Sequence, residues 1–321
     1  LAQHHPDYTD IHGLAQEISQ ITGADFGTLG EAANSIGAYF AGAVPGQVAQ
    51  SSMDKSAQTP MAGLNAAQML GSDAQLSAAP PCQGYVLMNM EPEYDTYHSH
   101  KALNTLKSAE FVVSMSTFRG NAMEYADVLL PIAPFTETSG TFINTEGRVQ
   151  SFNGVVPPLG EARPAWKVLR VLGNLLQLDG FDFETPEQVR NEIFPIDADI
   201  SGHFNNQLAS HNISIPEKNN GRIHRIGEVP IYQADPIVRR AESLQQTNDA
   251  AKPQALMSAA LLERLNINAG DNVSLKQDDG EVRLKAGRDD KIPDNCVRVV
   301  CAHPDTAPLG AMFGEVIIEK L

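Results

Sequence analysis

The chain has 321 residues, of which 42% are hydrophobic, and a formal net charge of −16 at pH 7. This length exceeds one ordinary domain, so two or three domains with their own cores are predicted. The strong negative charge argues against nucleic acid and anionic lipid as partners, because both attract basic proteins. No apolar run approaches the length of a membrane span, so direct membrane insertion is not expected.

The amino-terminal region predicts one amphipathic helix and no targeting segment. Ile11, Leu14, Ile18 and Ile21 follow one another at spacings of 3, 4 and 3 residues, which place them on one helical face. Residues 1–8 are polar and lack the basic start of a secretory signal. Because the chain does not begin with methionine, we expect it to be a piece of a longer polypeptide.

The spacings of cysteine and histidine predict no metal centre in this stretch. Cys82, Cys296 and Cys301 make no C-x-x-C pair and no ferredoxin spacing. An all-cysteine iron–sulfur cluster needs four thiolates, so reduced, buried thiols are predicted instead. His98 and His100 fall in a helical pattern that points their rings apart, which favours a solvated helix surface over a zinc site.

Short apolar runs alternate with a helical pattern between residues 85 and 131. The predicted strands are Tyr85–Met90, Phe111–Met115 and Asp127–Pro131, with a helix over Tyr97–Lys107. Strands separated by helices imply right-handed crossovers and a doubly wound, mainly parallel α/β sheet. Ligands of such sheets bind beyond the carboxyl ends of the strands. The segments expected to face a ligand are therefore Asn89–Tyr94, Ser116–Asn121 and Pro131–Thr138.

The stretch Glu137–Gln150 combines strand-forming residues with carboxylates, an amide and a guanidinium. Residues 141–145 alternate with period 2, which predicts one short strand. A glycine at each end marks places where the backbone turns sharply or lies close to another group. Arg148 is expected to be held by Glu137 or Glu146, and we favour a role in folding over a role in catalysis.

The rest of the chain predicts a helix, a long polar excursion and a strand-rich end. Pro164 opens an amphipathic helix that is expected to pack the only tryptophan, Trp166, onto the sheet. A helix over Ser258–Leu265, a hairpin signal at Asp279-Gly280 and later strands predict a small β-barrel. The predicted division is an α/β region over residues 1–180, a linker over 181–254 and the barrel over 255–321.

The order of side chains in residues 137–150 is an acidic residue, Gly-Thr, Asn and then Glu-Gly-Arg-Val-Gln. This order resembles a signature of the molybdopterin oxidoreductase superfamily. The string Asn266–Val273 also resembles the start of that family's carboxyl-terminal barrel. The resemblance spans nearly the whole chain and implies an α/β region, a linker and then a double-psi β-barrel.

Within the superfamily, four strings are similar to one branch, the largest peripheral-arm subunits of bacterial NADH–quinone oxidoreductases, the respiratory complex I. They are Ala41–Pro45, Gly227–Tyr232, Val238–Ala241 and Leu244–Gln245. The similarity implies a scaffold that supports electron transfer from NADH to quinone through clusters located elsewhere. No molybdenum and no cofactor of its own are then expected in this stretch.

The same similarity implies partners and a location. The partners would be other peripheral-arm subunits of complex I, and the location would be peripheral, on the cytoplasmic side of the inner membrane. Residues 226–245 are expected to form part of a subunit interface, because their apolar and arginine side chains are typical interface anchors. Arg239 and Arg240 are among those expected anchors.

Two alternatives stay open. The chain is otherwise the carboxyl-terminal half of a molybdopterin oxidoreductase such as a formate dehydrogenase relative. Gly140, Thr141, Asn144 and Arg148 would then be the residues that bind a pterin. An unrelated binding domain would instead hold a small ligand in the α/β crevice. No catalytic residue is assigned in any case, and molybdenum in the intact parent protein would favour the enzyme over the scaffold.

Overall fold

A computed structural model describes residues 5, 7–43, 63–70, 82–193, 199–200 and 221–321. Its helices are α1 (Tyr8–Thr22), α2 (Ser35–Phe40), α3 (Ala66–Met69), α4 (Pro92–Asp95), α5 (Ser99–Ser108), α6 (Ala165–Leu175), α7 (Pro186–Ile193), α8 (Pro236–Arg239), α9 (Glu242–Gln245) and α10 (Ala259–Arg264). Its strands are β1 (Gly84–Met88), β2 (Phe111–Ser116), β3 (Val128–Pro131), β4 (Gly140–Ile143), β5 (Val149–Phe152), β6 (His224–Glu228), β7 (Gln254–Met257), β8 (Asn272–Gln277), β9 (Gly280–Arg288), β10 (Cys296–Val300), β11 (Gly314–Glu315) and β12 (Ile317–Lys320). Among these residues, no helix is both long and apolar enough to cross a bilayer.

The predicted parallel sheet is confirmed. Strands β1, β2 and β3 lie side by side in that order and all pairs are parallel. Helix α5 forms the crossover between β1 and β2, and its Leu106 is buried against Tyr85, Leu87 and Val112. The carboxylate of Asp127 accepts a hydrogen bond of 2.8 Å from the Val112 amide, which fixes the start of β3 beside β2. The double winding of this sheet stays a prediction.

The strand-rich end forms a nearly closed, barrel-like sheet of seven strands. Their order is β11-β6-β10-β7-β9-β8-β12, with parallel and antiparallel pairs mixed. Alternate side chains along β9 are buried, as expected for a strand that has one face in a core. The core of this sheet is apolar and includes Met257, Leu261, Val273 and Leu275. A barrel-like domain was predicted from these strands, while the double-psi connection stays a prediction.

Strand β6 belongs to this barrel-like sheet although it lies inside the predicted linker, residues 181–254. It pairs in parallel with β10 over its full length, from Cys296 opposite His224 to Val300 opposite Glu228. The sheet therefore recruits a strand from before residue 255. The division of the chain at residues 180 and 254 is otherwise a prediction that the structure does not test.

The sequence predicted the first helix of the barrel and, to within one residue, the turn of its hairpin. Ser258 accepts a hydrogen bond from the Leu261 amide and so caps α10, as serine at this position does. The hairpin predicted at Asp279-Gly280 joins β8 to β9, and Gln277 faces Gly280 across it. Its two loop residues are Asp278 and Asp279, and Asp278 has a φ of 47°. The loop is therefore one residue earlier than the signal indicated.

The parallel sheet and the barrel are joined by backbone-directed hydrogen bonds. The Ser99 hydroxyl donates to the Ala307 carbonyl at 2.7 Å. The Met312 amide donates to the Tyr97 carbonyl at 3.2 Å. These bonds connect the start of α5 to the segment that precedes β11. The two sheets thus share one interface within a single chain.

His98 lies in that interface and not on a solvated surface, so its prediction was wrong. Its Nε2 is 3.3 Å from the Asp278 carboxylate, and its Nδ1 accepts from the Lys101 amide at the start of α5. Burial lowers the pKa of His98, and nearby Lys101 lowers it further, while Asp278 opposes both. A side chain at Gly310 would meet the imidazole at 3.1 Å, so glycine makes room for it. His98 is therefore an interdomain packing residue.

Two predicted helices form, and the apolar face of α1 is exposed at its end. Helix α1 covers the predicted segment, and Ile21 on its apolar face is 82% exposed. Helix α6 begins after Pro164 as predicted. Its Gly173 lets the Phe181 ring pack closely, because a Cβ there would lie 2.3 Å from that ring.

Candidate functional site

The motif that carries the family resemblance is a hairpin and not the single strand that we predicted. Strands β4 and β5 pair antiparallel, with Gly140 opposite Phe152 and Ile143 opposite Val149. The chain reverses at Gly147, whose φ of 80° is easily adopted only by glycine. The period-2 pattern found β4 but gave no sign of its partner.

Asn144 holds the turn of this hairpin. Its side-chain Oδ1 accepts hydrogen bonds from the Arg148 amide at 2.9 Å and from the Glu146 amide at 3.1 Å. Its own amide donates to the Arg148 carbonyl. An asparagine that bonds the backbone a few residues ahead is a common device for tight turns. Asn144 therefore has a structural role here.

Arg148 pairs with Glu146, one of its two predicted partners, but the pair is exposed. Its guanidinium lies 3.8 Å from Glu146, and the two side chains are 69% and 75% exposed. An exposed pair of this kind contributes at most about 1 kcal/mol, because water screens both charges. Glu137 instead accepts a hydrogen bond of 3.0 Å from the Leu159 amide. These exposed contacts favour only a small contribution of Arg148 to stability, and its role in folding stays a prediction.

The four predicted pterin-binding residues divide between two places. Gly140 and Thr141 line a cavity of about 260 Å³, together with Trp166 and Arg190. Asn144 lies in the hairpin turn and is not part of that lining. The Thr141 hydroxyl bonds to the Ser151 hydroxyl at 2.9 Å across the hairpin. Trp166 on α6 therefore shares a cavity with Gly140 and Thr141 of β4, and its packing on the parallel sheet stays a prediction.

The carboxyl ends of the parallel strands, where a ligand was expected, contain an ion cluster. Glu91 follows β1 and is 5% exposed. Arg239 donates to its Oε2 at 2.9 Å, and Arg240 donates to both of its oxygens, at 3.2 Å to Oε2. Arg239 also pairs with Asp95. We predicted both arginines as anchors of a subunit interface, but here they make contacts within the chain.

Aromatic rings support these two guanidiniums. The Arg239 guanidinium lies 5.0 Å from the centre of the Tyr94 ring, and that of Arg240 lies 4.5 Å from the centre of Phe118. Both distances fall within the range of a favourable cation–π contact. Tyr94 follows β1 and Phe118 follows β2, so the ends of two neighbouring strands form the walls of the cluster.

The electrostatics of Glu91 follow from these contacts. Burial alone would raise its pKa, but the hydrogen bonds from Arg240 and Arg239 outweigh burial and hold its pKa below the ordinary value. Burial opposes the charge of Arg239 as well, yet Asp95 and Glu91 overcome it and raise the pKa of that guanidinium. Glu91 and Arg239 therefore stay charged at neutral pH.

Glu93 is a second buried carboxyl of this site, and it lies outside the ion pairs. It is 7% exposed, and neither of its carboxyl oxygens has a hydrogen-bond partner in the described part of the chain. Burial raises its pKa, and the negative charges of Glu91 and Asp95 raise it further. The backbone amide of Glu93 and the side chain of Asn121 lie near enough to offset part of that rise. Glu93 is thus disfavoured in its ionised form.

Comparison with known proteins decides the family. A family model described as "Molybdopterin oxidoreductase" matches residues 2–175, which is more than half of the chain. The chain belongs to the molybdopterin oxidoreductase family. This membership was predicted from the hairpin motif.

The relatives are longer proteins. A protein of Staphylococcus haemolyticus named "Putative formate dehydrogenase SH0748" is 32% identical over 99 residues, which are 31% of this chain and 10% of the relative. A Bacillus subtilis protein named "Probable oxidoreductase YjgC" is 34% identical over 115 residues, 36% of this chain and 11% of that protein. The chain therefore matches about a tenth of the length of these relatives.

A solved structure shares the fold. Acetylene hydratase from Pelobacter acetylenicus superposes with a TM-score of 0.55 and 15% sequence identity, over 81% of this chain and 47% of that chain. At this identity the likeness concerns the fold alone. It agrees with a mixed α/β architecture that contains a parallel sheet and a barrel-like sheet.

Membership in this family weighs against our expectation that no molybdenum is bound, because the family is named for its cofactor. The crevice at the carboxyl ends of β1 and β2 nevertheless does not fit an anionic cofactor group. Its two guanidiniums already bond to Glu91 and Asp95, so their charges are compensated before any further anion arrives.

The hairpin gives a prediction that separates two of the predicted site residues. Replacing Asn144 by Ala removes the acceptor of two backbone amides and should destabilise the protein by about 1–2 kcal/mol. Replacing Arg148 by Ala should change stability by less than about 1 kcal/mol. Chemical denaturation of both variants measures the difference. An Arg148 effect equal to or larger than that of Asn144 would contradict these two assignments.

Glu93 gives a prediction about pH. A carboxyl whose pKa is raised in the folded state lowers stability as pH rises above its unfolded pKa, because the buried group must ionise. Glu93→Gln should therefore be more stable than the wild type by about 1–3 kcal/mol at pH 8 and should lose that advantage near pH 4.

The control for this prediction is Glu263→Gln, which alters an exposed glutamate on α10. Urea denaturation from pH 4 to pH 8 should show a stability difference that grows with pH for Glu93→Gln alone. Parallel curves for the wild type and Glu93→Gln would show that Glu93 is not desolvated.

Proposed function

We propose that this chain contributes structural support, and no reacting group, to a larger oxidoreductase of the molybdopterin family. The observation that carries the proposal is the ion cluster of Glu91, Arg239 and Arg240, which fills the expected ligand crevice with the chain's own side chains. The hairpin agrees with this, because Asn144 serves its turn and Arg148 is solvated.

One candidate for the larger protein is a formate dehydrogenase-type enzyme. Relatives that match the chain at 32% and 37% identity bear the name "Putative formate dehydrogenase". In such an enzyme the metal ligand and the pterin contacts would come from parts of the polypeptide outside this chain. The named relatives favour this candidate over the one that follows.

The second candidate is the largest peripheral-arm subunit of an NADH–quinone oxidoreductase, which supports electron transfer from NADH to quinone. Its specific support is that the string resembling that branch, Val238–Ala241, includes the two arginines that close the crevice. If this candidate holds, the partners of the chain are the other peripheral-arm subunits of complex I. Its location would then be peripheral, on the cytoplasmic side of the inner membrane.

The experiment compares the full-length native protein with its Thr141→Val variant, which keeps the side-chain shape but removes the hydroxyl. Metal content is measured by elemental analysis, and turnover by formate-driven dye reduction and by NADH–quinone reduction. Thr141→Val should leave metal content and turnover within about twofold, because groups that stabilise a transition state typically cost about 100-fold or more when removed.

The outcomes separate the proposal from its two candidates. A loss of turnover of about 100-fold in Thr141→Val, with the fold intact, would contradict a supporting role. Molybdenum near one atom per wild-type chain with formate oxidation supports the formate dehydrogenase candidate. NADH–quinone activity without molybdenum supports the second candidate.

A further inference from the structure

The ion cluster has the chemistry of an anion site that already contains its anion. Two guanidiniums converge on one carboxylate, and each carboxylate oxygen receives at least one of them. Guanidinium groups bind carboxylates and phosphates with the same forked geometry. The position also matters, because it lies beyond the carboxyl ends of β1 and β2, where ligands of parallel sheets bind.

We propose that Glu91 is the resident anion of a two-arginine site formed by Arg239 and Arg240, and that it keeps diphosphate-bearing ligands out of the crevice. The proposal does not depend on which oxidoreductase contains the chain. It concerns what the crevice binds, and it can fail while the proposed supporting role stands.

Burial makes the resident anion necessary. Arg239 is 7% exposed and Arg240 is 34% exposed, so water screens neither charge fully. Two guanidiniums brought together in such a place repel each other unless an anion lies between them. Asp95 pairs with Arg239. Among the described residues, Glu91 is the carboxylate that contacts both arginines.

Two sets of contacts that do not involve Glu91 also position the two arginines. The rings of Tyr94 and Phe118 support the two guanidiniums at 5.0 and 4.5 Å, whichever anion lies between them. The Arg239 Nε also donates to the Gln233 carbonyl at 3.0 Å, and Arg240 donates to the Pro236 carbonyl at 3.0 Å. Both side chains should therefore keep their positions when the charge of Glu91 is removed.

Close backbone contact adds to the exclusion. Gly120 has a φ of 47°, and a Cβ at this residue would lie 2.8 Å from Glu91 Oε1 and 3.3 Å from the Arg240 guanidinium. The loop after β2 therefore lies directly against the carboxylate. A diphosphate could enter only by displacing Glu91.

The test uses Glu91→Gln in the full chain, with inorganic pyrophosphate as the probe. The neutral amide keeps the size of the side chain but leaves Arg240 without its carboxylate and Arg239 with Asp95 alone. Pyrophosphate should then raise the melting temperature of Glu91→Gln by several degrees, because a ligand of the folded state stabilises it. Neither pyrophosphate nor GDP should raise that of the wild type. Sodium chloride at equal ionic strength is the control for screening.

A second variant assigns the effect to the arginines. Glu91→Gln combined with Arg240→Gln should lose the response to pyrophosphate. Arg288→Gln combined with Glu91→Gln is the matched control, because Arg288 belongs to an exposed pair with Asp290 in the barrel. That control should keep the response.

Three results would overturn the proposal. One is stabilisation of the wild type by pyrophosphate or GDP that Arg240→Gln abolishes, since the crevice would then be open. Another is a soluble Glu91→Gln that does not respond to pyrophosphate. If Glu91→Gln is insoluble, its refolding yield is measured with and without pyrophosphate. A rise in yield supports the proposal, and an equal yield is the third contradictory result.

Discussion

The contact between Glu91 and its two arginines links parts of the chain that are about 150 residues apart. Glu91 follows the first strand of the parallel sheet, while the arginines lie in the excursion that precedes the barrel. Without this contact, the guanidiniums of Arg239 and Arg240 and the buried carboxylate of Glu91 would lose the charges that compensate them. Removing one member of a buried pair typically costs about 3–5 kcal/mol. The cluster therefore fixes the path of the excursion.

The excursion itself is arranged to present those arginines. Asp235 caps α8 by accepting hydrogen bonds from the Ile237 and Val238 amides. The Gln245 side chain donates to the Val238 carbonyl at 2.8 Å and so ties α9 to α8. These local bonds hold the short helices rigid. Arg239 is the last residue of α8 and contacts Glu91 at the end of the first strand. A second buried arginine, Arg225 on β6, is 2% exposed and donates to the Ala311 carbonyl at 2.8 Å, which holds the segment on which the parallel sheet docks.

Sequence periodicity predicted what depends on neighbours in the chain, and it missed what depends on pairing across long distances. The three parallel strands, α1, α10 and the β8–β9 hairpin follow from local patterns of burial and turn chemistry. The expected ligand segment Asn89–Tyr94 and the expected anchors Arg239 and Arg240 were both recognised as special, but nothing in their spacing shows that they meet. The same holds for His98, whose partner Asp278 is 180 residues away. Arg148 was overvalued because its order in the motif says nothing about its exposure.

The most direct test of the cluster's central role is a double-mutant cycle on Glu91→Gln and Arg239→Gln, with stability measured by urea denaturation at neutral pH. We expect the two changes to be strongly coupled, with an interaction energy of at least about 1.5 kcal/mol, as for contacting members of one buried network. An interaction energy below about 0.5 kcal/mol would mean that the two residues act independently, and it would contradict the central role of the cluster.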